Sequence, residues 1–501
     1  MEEPASSDAQ HIEAKLTEVN VPSLWSASRR PRPVQDVRRG ADGTPPTDDC
    51  DLPSWRSIFQ QDYDRLLFST PVRRLSDKTQ VWPMDENDGV RTRLTHSHEV
   101  ANLARSLGSR IATERPDLFK ADLHSTIQPL LWSIGLAHDL GNPPFGHQGE
   151  VAIGHWFEER ASWIFDRKSQ HGEAFETGLS SAQRCEFLNF DGNPQTLRLV
   201  ARLQTHAYGL GLDLSAATLA AMLKYPVSAG NRKESVPAIK KVGYFETEVE
   251  IVDWLRRETG LKEKQRHPLT WIMEACDDIA YSILDVDDVM KKGIASPEDI
   301  LSQMQGIKAL SSLSVVGKLR DAFGRVDADG RGVFVARDVK IGYMRAYLMD
   351  ALLCEASEEF IRKSDEIFAF KEDLEPLMES SLLCNFLKDV AKDHAFSNPS
   401  VLRSEAIGAE AIKDILSFFW SAIQNRKDFF NIKSKRTTAA SKFAWSLISP
   451  NYIEECGRCI FKGAPQASIR YSELRLLTDM VSGMTDTFAM KLWQDIKALP
   501  K

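Results

Sequence analysis

A chain of 501 residues with 42% hydrophobic and 27% charged side chains can bury a large core, which excludes a disordered or fibrous protein. Its 63 basic and 71 acidic residues give a net charge of -8, which excludes a generic polyanion-coating role but leaves room for a local basic pocket. No apolar run reaches the roughly 18 residues that a membrane helix needs, and MEEPASSDAQ at the start is unlike a secretory signal. Seven scattered cysteines suit a reducing compartment. Cys456 and Cys459 have CxxC spacing, but with no second ligand pair nearby they read as ordinary thiols. A cytoplasmic protein without a membrane partner is expected.

Residues 1–50 carry Pro31, Pro33, Pro45 and Pro46, the pairs Arg29-Arg30 and Arg38-Arg39, and few apolar side chains. Such a segment buries too little surface to offset chain entropy, so a tail that is mobile or ordered only by contact is expected. Beyond Trp55 the periodicity is helical. Val100, Leu103, Ala104, Leu107 and Ile111 follow the 3/4 spacing of an amphipathic helix that ends near Pro116. Leu130, Leu131, Ile134 and Ala137 form another after Pro129, and 269–290 a third with Pro268 in its first turn. Residues 332–336 (GVFVA) alternate weakly like a strand, while 411–423 and 473–499 read as helical. The pattern predicts an all-α chain: a tail over 1–50, a helical core over 51–330 and a C-terminal helical region over 331–501 packed on it.

The chemistry gathers at GLAHDLGNPPFGHQGE (135–150). His138 and Asp139 close an apolar helix and face a loop, because Gly141 and Pro143-Pro144 stop the helix at once. Adjacent helical residues lie about 100° apart, so both reach one ion only at a helix end. A further imidazole is sought upstream in RTRLTHSHEV, where His96 is the best candidate and His98 its competitor. A further carboxylate is sought in WIMEACDDIAYSILD, where Asp277, Tyr281 and Asp285 fall four apart on one face of an otherwise apolar helix. Carboxylates buried there need a cation. His147 and Glu150, at i and i+3, share a helix face, so the carboxylate can orient the ring and raise its pKa. His155 lies near the same face, but its neighbours Trp156 and Phe157 predict a packed position.

H…HD…D is the pattern of the HD hydrolase superfamily. The words RRLSDKTQVWP (73–83), RTRLTHS (91–97), AHDLGNPPFGHQGE (137–150), LKYP (223–226), KKVGYF (240–245), PLTWIMEACDDIAYSILD (268–285) and SGMTD (482–486) occur in order. Together they closely resemble the bacterial dGTP triphosphohydrolases over roughly residues 50 to 500.

The resemblance implies metal ligands His96, His138, Asp139 and Asp277. Two imidazoles and two carboxylates suit a divalent ion such as Mg²⁺, Mn²⁺ or Fe²⁺ better than a sulfur-rich structural zinc site. It implies His147 and Glu150 as the acid/base pair, acting on either the leaving group or the attacking water. Arg93, Lys224, Tyr225 and Lys241 are implied as the triphosphate clamp. Gln80 is placed at the sugar 3′-hydroxyl, and Tyr281 where a ribose 2′-hydroxyl would sit; with Asp285 it should look into the pocket. Glu405 falls near the place that would meet a guanine edge. The implied reaction converts dGTP or another dNTP to a deoxynucleoside and tripolyphosphate. A homo-oligomer, often a hexamer, is implied, with nucleotides or single-stranded DNA as effectors. Alternative readings are another HD phosphohydrolase, such as a 5′-nucleotidase or guanosine tetraphosphate hydrolase, and a nucleic-acid-binding regulatory protein using the Arg-rich tail and 433–436.

Overall fold

The apolar 3/4 spacings close into helices in a computed structural model that describes residues 23–32, 55–82, 89–166, 178–206 and 208–499. The elements that frame the site are α1 (Ile58–Leu67), α2 (Arg93–Glu114), α3 (Gln128–Ala137) and α4 (Gly146–Glu158). They are followed by α5 (Pro268–Lys291), α6 (Val333–Arg362), α7 (Pro399–Gln424), α8 (Gln466–Ser482) and α9 (Asp486–Ala498). Among the described residues there is no β-sheet, only isolated bridges between Thr79 and Thr92 and between Arg426 and Arg436. None of their helices is long and apolar enough to cross a membrane. The fold is all-α.

Helix α5 is the axis of the assembly. Its 24 residues are buried on nearly every side, with α2, α3 and α6 packed against it. Arg91 locks the entry of α2 to the far end of α5, pairing with Asp287 at 2.8 Å and Asp288 at 2.5 Å. Helices α2 and α3 cross closely at Gly135. A Cβ there would lie 2.5 Å from the Cα of Ala101, so glycine alone permits the approach. That crossing sets His96, near the start of α2, beside His138, at the C-cap of α3.

The remaining helices close the other side. Helix α8 is buried along most of its length, with Asp479 gripping the Arg198 guanidinium at 2.7 and 2.6 Å. Helix α7 lies over α4, and its Gly408 backbone approaches the Phe145 ring so closely that a Cβ would stand 2.6 Å from it. The Glu405 carboxylate, one turn earlier, is thereby carried over the loop after α3.

Two sequence expectations need correction. Residues 332–336 are no strand: they open α6, with Val333, Phe334 and Val335 exposed. The apolar 3/4 row of Ile341, Met344, Leu348, Leu352 and Ala356 outweighs their local alternation. Residues 473–499 form parts of two helices, α8 and α9, parted at Gly483-Met484-Thr485, where the Thr485 side chain accepts from Phe488 N and starts α9.

Most of the 1–50 tail lies outside the described residues, including Arg38-Arg39. Residues 23–32 are docked on the core. Trp25 meets Phe119 and His267 edge-on, and the Ser26 and Ser28 carbonyls accept from Ala217 and Ala216. Arg29 pairs with the buried Asp62 at 2.9 Å, and Arg30 donates to the carbonyls of Ala201 and Leu210. Arg436, in the other basic segment, is also turned inward, donating to the Ala422, Ile432 and Ser434 carbonyls and lying over the Trp445 ring. These arginines spend their donors on the protein.

The helix crossing is directly testable. Gly135→Ala should cost about 1–3 kcal/mol by overpacking, measured by urea denaturation. The control Gly324→Ala, on a helix where a Cβ meets nothing within 4 Å, should gain about 0.5–1 kcal/mol from helix propensity. Equal effects at the two positions would contradict the packing described.

Candidate metal centre and active site

The His138 ring is oriented by its own helix end. Its Nδ1–H donates to the Gly135 carbonyl at 2.7 Å, which leaves the Nε2 lone pair facing inward. That Nε2 is buried and has no hydrogen-bond partner. It lies 3.5 Å from Asp277 Oδ1, and His96 Nε2 lies 3.2 Å from the same oxygen. Ligand atoms of His96, His138 and Asp277 all fall within 4.8 Å of one another. A buried lone pair beside a carboxylate and a second imidazole calls for a positive charge at the shared point. The residues therefore fit a divalent ion bound by nitrogen and oxygen. His98, the competitor, is exposed and points away.

Electrostatics say the same. Burial opposes charge on His138, yet the Asp139 and Asp277 carboxylates carry its pKa up to about 9. Burial likewise opposes ionisation of Asp277, but His138 and His96 hold its carboxyl well below the usual range. The cluster pulls in either a proton or a metal cation.

Asp139 is adjacent but differently engaged. Its Oδ2 lies 3.6 Å from His138 Nε2 and accepts from Arg93 Nη1 at 2.5 Å, while its Oδ1 accepts from Asn142 at 2.7 Å. Arg93 thus sits beside the cluster with its guanidinium on a carboxylate. Gly146 makes room for it: φ is +57°, and a Cβ would stand 2.5 Å from Arg93 Nη2.

The turn Asn142–Gly146 throws α4 back over the site. Phe145 takes a left-handed φ of 62°, an uncommon conformation for a side-chain-bearing residue. Its N–H donates to Asp486 Oδ1 at 3.0 Å. The other oxygen of Asp486 accepts from the Thr79 amide at 2.9 Å and from its hydroxyl. One carboxylate from α9 therefore ties together two walls of the site. The buried Lys78 ammonium donates to the Asn142 and Ser482 carbonyls, and burial lowers its pKa to about 7. Lys78 and Asp486 lie within DKTQ and SGMTD, and the fold turns both into clamps that no local pattern announces.

A cavity of 530 Å³ opens onto the cluster. Gln80, Arg93, His96, Asp139, His147, Asp277, Tyr281 and Glu405 line it, with Phe145, Phe396 and Leu402 as apolar wall. The Tyr281 ring is stacked on Phe396, with centroids 5.7 Å apart. Gln80 Oε1 is buried there without a partner, a polar atom left for a ligand. Glu405 approaches His147 across the opening, and burial raises its pKa.

His147 stands at the rim, its side chain 75% exposed, with Nδ1 3.0 Å from Glu150 Oε2. The other Glu150 oxygen accepts from the Gly192 amide at 2.7 Å, so the carboxylate is fixed before it meets the ring. The hydrogen bond between His147 and Glu150 raises the His147 pKa against the opposing effect of burial. Beyond His147 lies a second cavity of 290 Å³ lined by Glu150, His155, Asp191, Arg232 and Lys241. Lys241 pairs there with Asp191 at 2.6 Å. His155 is exposed on this wall and not packed: Ala152, Ile153, Trp156 and Phe157 take the core face of α4 and leave it outside.

Six expected residues lie off the main cavity wall: His138, Glu150 and Lys241, placed above, and Lys224, Tyr225 and Asp285. Lys224 sits behind the cluster, 3.7 Å from Asp277 Oδ2, and Tyr225 is buried next to it. Asp285 is buried one turn beyond Tyr281 with Oδ2 unpartnered, and burial with the nearby Asp288 pushes its carboxyl well above the usual range.

Comparison with known proteins covers the same residues. The model of the HD domain matches residues 93–281, the span from Arg93 to Tyr281. The deoxyguanosinetriphosphate triphosphohydrolase-like protein of Listeria innocua is 32% identical over 476 residues, 93% of this chain and 98% of the relative. A protein of the same description from Synechocystis is 30% identical over 89% of this chain and 94% of its own. The deoxyguanosinetriphosphate triphosphohydrolase of Klebsiella pneumoniae is 30% identical, covering 88% of this chain and 93% of the relative.

Two predictions follow from the geometry. Asp277→Ala should abolish Mn²⁺ binding measured by calorimetry, whereas His147→Ala should leave it within about twofold; equal loss in both would contradict the division drawn here. Glu150 raises the His147 pKa, so the imidazolium of the intact protein survives to higher pH than a free histidine. In Glu150→Gln the His147 titration followed by NMR should move to lower pH, and an unmoved midpoint would contradict the pairing.

Proposed function

The chain belongs to the deoxyguanosinetriphosphate triphosphohydrolase family of the HD superfamily, and on that premise we propose that it converts dGTP and water to deoxyguanosine and tripolyphosphate. The observation that carries this reading is the His96–His138–Asp277 cluster opening into a cavity that also holds Arg93 and His147, the latter paired with Glu150. When bound by His96, His138 and Asp277, with Asp139 alongside, a divalent ion supplies Lewis acidity to a phosphoryl oxygen and a lowered pKa to water.

The chain's own residues do the rest. Arg93 neutralises phosphate charge beside the cluster, and Lys241 waits in the cavity beyond His147 for the outer phosphates. Water attacks the α-phosphorus, its oxygen stays on phosphorus, and the bond to the sugar 5′-oxygen breaks. That oxygen is a poor leaving group, so the proton on His147 is delivered to it while Glu150 stabilises the imidazolium. Glu150, held by the Gly192 amide, keeps the ring aimed at the cavity. Gln80 accepts from the 3′-hydroxyl with its unpartnered Oε1. Tyr281, stacked on Phe396 in the cavity wall, packs against the sugar where a 2′-hydroxyl would stand in this reading, and Glu405 accepts from the N1–H and N2–H₂ edge of guanine.

Phosphorus NMR of dGTP incubated with Mn²⁺ should show tripolyphosphate as the sole phosphorus product. Orthophosphate or pyrophosphate would mean that a different bond breaks. In a panel of nucleotides dGTP should exceed GTP by at least about 100-fold in kcat/KM, since a site built to exclude a hydroxyl is penalised by clash and unpaired polar groups. Equal turnover of GTP would contradict the role given to Tyr281.

A further inference from the structure

Behind the cluster, four charged groups alternate in sign. Arg266 Nη1 meets Glu274 Oε2 at 2.6 Å. The other Glu274 oxygen lies 3.7 Å from Lys224 Nζ, and Lys224 Nζ lies 3.7 Å from Asp277 Oδ2. The row ends on Asp277 Oδ1, which faces His96 and His138. Arg266 and Glu274 are buried, and the Arg266 guanidinium lies over the Trp271 ring at 4.5 Å. The Arg266 end of the row is therefore fixed by packing as well as by charge.

Lys224 is the member held at the longest separations. It stands equally far from the two carboxylates, and neither 3.7 Å separation is a hydrogen bond. Its ammonium is held by balanced attraction, with its N–H groups left for another acceptor. The balance rests on Glu274. Without that carboxylate, the nearest negative charge to Lys224 would be Asp277, the same group that faces the metal position. An ammonium and a divalent ion would then compete for one carboxylate in a region where charge interactions are poorly screened.

We propose that Glu274 is a positioning residue: it holds the Lys224 ammonium off Asp277 and so leaves Asp277 to the metal. This rests on the function proposed above. It adds a residue outside the cavity that sets the availability of Asp277 through Lys224.

The test is a cycle on the full chain read by Mn²⁺ calorimetry and by the KM for dGTP. Glu274→Gln should weaken Mn²⁺ binding about tenfold, the scale typical of residues that orient metal ligands, and raise KM more than it lowers kcat. Adding Glu274→Gln to Lys224→Met should weaken Mn²⁺ binding no further, because the competing ammonium is gone. A merely structural role, acting through the Arg266 pairing, would persist in that background and give an additive loss. An additive loss, or unchanged Mn²⁺ affinity in Glu274→Gln, overturns the proposal. Production of tripolyphosphate by the unsubstituted chain would keep the proposed function standing in either case. If loss of the Arg266 partner unfolds Glu274→Gln, Glu274→Asp keeps the charge for Arg266 and withdraws it from Lys224. The same cycle with that variant must give the same non-additive result.

Discussion

The site depends on the closeness of α2 and α3 where Gly135 meets the Ala101 backbone. A side chain at 135 would separate the helices, and His96 would no longer face His138. The same glycine does a second task, since its carbonyl accepts the His138 Nδ1–H and so fixes which ring nitrogen turns inward. Helix α5 then supplies Asp277 from the third side, and Arg91 holds α2 in register with it through Asp287 and Asp288. Packing decides the position of each ligand before any ion arrives.

Charge is arranged around that point in layers. The Asp139 and Asp277 carboxylates draw positive charge to the cluster, raising the His138 pKa to about 9 against the effect of burial. Arg93 satisfies Asp139 on one side, and the Lys224–Glu274–Arg266 row extends from Asp277 on the other. His147 is kept apart from these groups and paired with Glu150 at the rim, where a proton can be exchanged with solvent or a leaving group. The separation of a buried cation site from an exposed acid fits the division of labour in a phosphoester hydrolase.

Much of this was legible in the residues. The 3/4 spacing of Val100 to Ile111, Pro129, Pro268 and the break at Pro143-Pro144 locate the helices that carry His96, His138, Asp277 and His147. Where the reading failed, tertiary packing overrode local pattern: GVFVA opens a helix because the apolar row from Ile341 to Ala356 governs the segment. His155 was expected in the core from its neighbours, but 100° per residue puts Trp156 inside and His155 outside. Asp486 and Lys78 were invisible as clamps because their partners lie about 340 to 410 positions away or on backbone atoms. Glu274 lay in plain view in WIMEACDD, yet only the fold brings Lys224 and Arg266 to it.

The most direct test of the account is anomalous diffraction at the manganese edge from crystals of the full chain grown with Mn²⁺. A single strong peak among His96 Nε2, His138 Nε2 and Asp277 Oδ1, opening on the cavity with Gln80 and Arg93, is the predicted result. A peak elsewhere, or none with those three side chains well ordered, would contradict it.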